Sequence, residues 1–135
     1  MKHIVTAGLM TASLALGLGA FGTAQADEAM DNEAVQTRQM LMDGIGGAMG
    51  TLGCYMKGQC ELPDGVIRNL ANGIAFSATA APAAFEPNTA DASVKTTAKP
   101  DVWTNWDDFS GRFPEMKTAA MNLAAAAGDK GAMRA

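Results

Sequence analysis

Arg38, Gln39, Met42 and Met49 bring a guanidinium, a carboxamide and two thioethers into one short stretch, Val35 to Gly50. On a helix, steps of three and four residues put side chains on one face. Arg38, Met42, Ile45, Met49, Leu52 and Met56 then form a single stripe. Its cationic end offers directed donors to a carboxylate, and the rest is soft and apolar. Gly44, Gly46, Gly47 and Gly50 are interspersed with it. Each lowers helicity by up to about 1 kcal/mol relative to alanine. Glycines kept in a helix mark the close approach of something bulky, either a neighbouring helix or a flat ligand.

Other chemistry is limited by what the chain carries. The two cysteines are Cys54 and Cys60, and the one histidine is His3. The cysteine spacing suits a local disulfide in an oxidising compartment, with two free thiols as the other reading. It fits neither a zinc site nor a Cys-x-x-Cys-His haem-attachment motif. Beyond His3 there is no imidazole for a catalytic triad, a zinc ligand or an iron ligand. Met30, Met40, Met42, Met49, Met56, Met116, Met121 and Met133 supply thioethers that suit Cu(I). Seven-residue steps along one helix set Met42, Met49 and Met56 about 10 Å apart, too far for one three-coordinate site within that helix. A Met-rich Cu(I)-binding protein and a haem-free helical interaction bundle stand as alternative functions.

Three helices must position these residues. The first is expected from about Asp31 to Lys57, with Asp31, Asn32 and Glu33 at its start. Pro63 and Asp64 open the second. Its apolar face comprises Val66, Ile67, Leu70, Ala71, Ile74, Ala75 and Ala78, and it fades by Pro82. A long polar connection follows to about Lys99. A connection of that length in a small bundle is often functional. The third helix starts after Pro100, with Trp106, Phe109, Phe113, Met116, Ala120, Leu123 and Ala127 on one stripe. Pro114 is expected to kink or split it, leaving a short helix before Gly111 and the main one after Phe113. Gly128 is a stop, and Asp129 is a cap for a further helix with only Lys130 to Ala135 after it. The fold class is all-α: an antiparallel up-and-down bundle of three main helices with a stub of a fourth.

Residues 1–26 read as an export signal: Lys2 and His3, an apolar run from Ile4 to Phe21, then the small-x-small triplet Ala24-Gln25-Ala26. The processed domain would be residues 27–135, in the periplasm of a bacterium and free of the membrane. The formal net charge of the 135 residues is −4, and loss of Lys2 makes the processed chain more acidic. With no basic patch, nucleic acid is not an expected partner.

Several short pieces occur in a telling order: Arg38-Gln39 followed by Met42, Met49-Gly50, Lys57-Gly58, Ala84-Phe85, Lys99-Pro100-Asp101-Val102-Trp103 and Ala127-Gly128-Asp129. In this set the chain resembles the cytochrome c′ family (class II cytochromes c), periplasmic haem proteins built as four-helix bundles. The resemblance implies an electron carrier, or a protein that binds NO and CO at a pentacoordinate haem, rather than an enzyme. Its cofactor would be haem c, held by two thioethers and an axial His from the fourth helix. Arg38 and Gln39 would meet the haem propionates, with Thr97 as a further contact. Met42 would crowd the open face of the iron, and Phe85 would cover the haem edge. A redox partner and a homodimer formed through helices one and two are also implied. The family's Cys-x-x-Cys-His near the C-terminus is absent from these residues. The chain therefore reads as truncated before the haem-binding fourth helix, and haem attachment is not possible through the residues present.

Overall fold

The computed structural model describes residues 21–90 and 92–134, with side chains described from Asp27 onward. Of the export segment expected over residues 1–26, residues 1–20 lie outside the described residues. Among those described there are helices and turns and no strand. The helices are α1 (Phe21–Met56), α2 (Asp64–Phe85), the single turn α3 (Asp101–Thr104) and α4 (Trp106–Ala125), followed by a 3₁₀ turn at Ala132–Arg134. The expected all-α bundle is present.

Helix α2 is the middle element, packed against α1 on one side and α4 on the other. Leu52 of α1 meets the early α2 residues Ile67 and Ile74, whereas Leu41 and Met42 meet the late ones, Ala81 and Phe85. Phe113 pairs with that late end and Ala120 with the earlier one. Successive long helices therefore run antiparallel. The α2 face follows the sequence pattern at Ile67, Ala71, Ile74, Ala75 and Ala78, which are buried along with Ala81 and Phe85, whereas Val66, expected on that face, is exposed. Fully burying one branched side chain such as Ile67 contributes about 1.5–3 kcal/mol.

Three boundaries differ from expectation. Helix α1 already includes Phe21, ten residues before Asp31. Ala24, Gln25 and Ala26 are good helix formers, and Asn32 spends its side-chain oxygen on Ser93 and Val94 rather than on a helix start. Helix α2 runs through Pro82 to Phe85, where Glu86 N–H still donates to the Pro82 carbonyl. Pro114 does not split α4, which continues from Trp106 to Ala125. Pro114 is exposed and so loses only one helical hydrogen bond at the water-facing side, while Phe113 is buried and Met116 packs inward. The break falls instead at Asn105 (φ −120°, ψ 44°), between α3 and α4.

The tail past α4 folds back. Gly128 takes φ +96°, and Asp129 Oδ1 accepts from the Gly131 and Ala132 amides at 2.9 and 3.0 Å. Met133 packs onto the Leu52–Ile67 cluster, Arg134 Nη2 donates to the Met56 carbonyl at 3.3 Å, and Lys130 Nζ sits 4.2 Å from the Tyr55 ring centre. Cys54 and Cys60 are joined, with Cα atoms 5.5 Å apart, across the turn at Gly58 (φ +69°) that ends α1.

Candidate functional site

The polar and aromatic residues singled out in the sequence gather where the middle of α1 meets the end of α2. Buried positions on α1 are Val35, Arg38, Ile45, Leu52 and Tyr55. Val35 was not part of the stripe, although it sits one turn before Arg38 on the same face. Met49, on the stripe, is 58% exposed. The reason is that α1 and α4 do not close on each other. They leave an apolar groove of about 330 Å³, lined by Met49, Leu52 and Met56 of α1, Ile74 of α2 and Met116 and Leu123 of α4.

Arg38 is 2% exposed, an unusual place for a guanidinium. Its Nη2 donates to the Thr89 hydroxyl, and Thr89 is itself fully buried. The guanidinium carbon lies 5.2 Å from the Phe85 ring centre and 5.5 Å from that of Trp103. Such cation–π contacts contribute about 0.5–2 kcal/mol, more as water is excluded. Among the described residues, Nε and Nη1 have no acceptor. Burial pushes the Arg38 guanidinium below its ordinary pKa, and the Asp31 carboxylate opposes that shift. An arginine keeps its proton in proteins, so the site holds a positive charge with two donors that no described residue meets.

Around this cation the lining is apolar. Phe85, Phe109 and Phe113 stack edge-on or tilted at 5.0–6.0 Å, and Trp106 joins at Phe109. Met42 packs against the same cluster, as do Leu41, Val102 and Met116. Gln39 points to the polar side of α1, where Nε2 donates to the Lys95 carbonyl at 2.9 Å. The structure thus brings Arg38, Met42 and Phe85 together and sets Gln39 beside them. Thr97 instead lines a surface hollow with Lys99, Asp101, Asn105, Asp108 and Arg112. Thr89 and Trp103 belong to the Arg38 site and were not singled out for it. A buried Thr in a polar loop carries no periodic signal, and Trp103 reads as packing because its indole N–H role depends on tertiary contact.

A haem of the implied kind can be tested against these residues. A buried cation with unmet donors suits a carboxylate, and Met42 with Phe85 gives apolar cover. The attachment chemistry is missing. There is no Cys-x-x-Cys-His in the sequence, and no histidine among the described residues. Cys54 and Cys60 are bonded to each other at the far end of α1. Thr89 and Lys95 already engage Arg38 and Gln39. The residues present therefore do not fit a covalently held haem. The methionines do not all gather into one site either. Met42 lies in the aromatic cluster, Met49, Met56 and Met116 line the groove, and Met30, Met40 and Met121 are exposed.

Comparison with known proteins gives one consistent result. The sequence model of the family described as cytochrome C′ matches residues 33–135. A cytochrome c-556 of Agrobacterium tumefaciens (strain apple 185) is 34% identical over 91 residues, covering 67% of this chain and 70% of that protein. One from strain B2A is 31% identical over 86 residues, covering 64% and 68% respectively. One from Agrobacterium fabrum is 30% identical over 86 residues, covering 64% and 57%. No solved structure matches the chain.

Proposed function

The chain belongs to the cytochrome c′ family, and from that premise we propose that it is a periplasmic bundle whose Arg38–Met42–Phe85 end is a haem-facing surface. The family is one of haem c proteins in electron-carrier roles, not enzymes. Electron transfer, and binding of NO or CO at a five-coordinate iron, are the roles proposed for this bundle when an attaching Cys-x-x-Cys-His accompanies it. Residues 1–135 contain no such motif.

The observation that carries this reading is the buried Arg38, its Nε and Nη1 unpaired among the described residues, one helical turn from Met42 and against Phe85. A plain core gains nothing from a desolvated cation lacking acceptors, since an unmet buried donor costs about 1–3 kcal/mol. A surface shaped for an acidic, flat, apolar ligand does gain from one. The export-type segment over residues 1–26 supports a periplasmic setting. No described helix is long and apolar enough to cross a membrane.

The test is to express two chains in a bacterium that exports proteins and attaches haem c: residues 1–135, and the same residues extended by a helix carrying Cys-x-x-Cys-His. The extended chain should gain covalent haem, and Arg38→Met and Met42→Ala should each shift its absorption spectrum or midpoint potential. Spectra indifferent to both substitutions would sink the reading. We also propose a homodimer through α1 and α2, supported by exposed Met30, Met40, Val66 and Phe76 on those helices. Sedimentation of the processed chain should report a dimer that Phe76→Glu dissociates, and a monomer at all concentrations would reject it.

A further inference from the structure

We propose that the connection from α2 to α3 is a strap latched onto α1 by Asn32, Arg38 and Gln39, and that the latch withholds Arg38 from solution. Asn32 and Gln39 are seven residues apart, on one face of α1, and Arg38 adjoins Gln39. Each reaches the strap. Asn32 Oδ1 accepts from the Ser93 hydroxyl at 3.2 Å and the Val94 amide at 3.3 Å. Gln39 Nε2 donates to the Lys95 carbonyl at 2.9 Å, and Arg38 donates to Thr89.

The near edge of the strap is held from the other side. Trp103 Nε1–H is shared between the Phe85 carbonyl at 2.9 Å and the Pro87 carbonyl at 3.1 Å. The same indole covers one face of the Arg38 guanidinium. These bonds draw Thr89 fully out of water and leave Arg38 2% exposed. A loop side chain with no apolar bulk does not bury itself, so the latch is what seats it.

The latch is also weaker than what could replace it. Thr89 gives Arg38 one neutral acceptor, and no other described residue meets Nε or Nη1. A carboxylate would offer two charge-assisted bonds to the same fork. The strap is thus an internal stand-in that closes over the cation. This device concerns Arg38 and Gln39 whether or not haem is their ligand.

The experiment is phenylglyoxal labelling of arginines in the processed, haem-free chain, read by peptide mass spectrometry beside amide hydrogen exchange. Arg68 is exposed and serves as the internal reference. Arg38 should label at least about tenfold more slowly than Arg68. In the Asn32→Ala/Gln39→Ala variant, Arg38 labelling and exchange of the Val94 amide should both rise, while exchange across α2 and α4 stays as in the parent. Arg38 labelling as fast as Arg68 in the parent overturns the proposal without any variant. Unchanged Arg38 labelling in the double variant overturns it too. If the variant loosens α2 and α4 as well, Gln39→Ala alone replaces it, and the same two outcomes decide. Because no haem is present, this result is independent of the extended-chain test.

Discussion

Where α1 turns into α2, the core is largely aliphatic and opens only along the groove between α1 and α4. Leu52, Ile67, Ile74, Ala75 and Ala120 pack with Tyr55, the Cys54–Cys60 bond ties the turn, and Met133 and Arg134 fold over it. At the opposite end, Phe85 and Trp103 face a buried cation that has two donors without an acceptor among the described residues, Phe109, Phe113 and Trp106 extend the aromatic cluster from Phe85, and a polar strap lies over it. Both ends are built from the same three long helices. The first has the composition of a core that needs only itself. The second carries an electrostatic debt that packing alone does not explain, which is where a ligand-facing surface departs from a plain interior.

Substitutions at the two ends should separate them. Ile67→Ala, at a fully buried aliphatic position, should cost about 2–5 kcal/mol in chemical denaturation. A loss below about 1 kcal/mol would mean the aliphatic end is not the stability centre. Replacing both Cys54 and Cys60 by Ser should cost about 2 kcal/mol, the loop-closure value for so short a loop. Equal stability of the oxidised parent and the double variant would remove the bond from that end's account.

At the aromatic end, Thr89→Val strips Arg38 of its one side-chain acceptor and should cost about 1–2 kcal/mol. Adding Arg38→Met should recover part of that loss, because the orphaned cation goes with it. A double-mutant cycle with no coupling would show that the two side chains do not act together. The smallest effect belongs to neither core. Asp108→Asn breaks the Arg112–Asp108 pair, whose side chains are 66% and 72% exposed, and should stay within about 0.5 kcal/mol.

Much of the aliphatic end is legible in the sequence, since Ile67, Ala71, Ile74 and Ala78 recur at helical steps and are buried as that period requires. Gly128 and Asp129 also act as read, one by its positive φ and the other by accepting two amides. Pro114 misled because its cost depends on which side of the helix loses the hydrogen bond, and that side is known only once Phe113 is seen to be buried. Asn105 has no strong breaker character, so the real interruption carried no signal. At the aromatic end, Arg38, Gln39, Met42 and Phe85 could be named from the ordered motifs. Their mutual arrangement could not, because the partners of Arg38 are 47 to 65 residues away in chain order, at Phe85, Thr89 and Trp103. Thr97 was placed by its neighbours in sequence and lies in a surface hollow that borders the aromatic cluster at Val102 and Phe109.

The most direct test is the intact mass and visible spectrum of residues 1–135 after export from a host that attaches haem c. The account predicts a chain beginning at Asp27, with Cys54 and Cys60 joined and no haem surviving denaturation. A porphyrin that stays covalently bound through denaturation would contradict it.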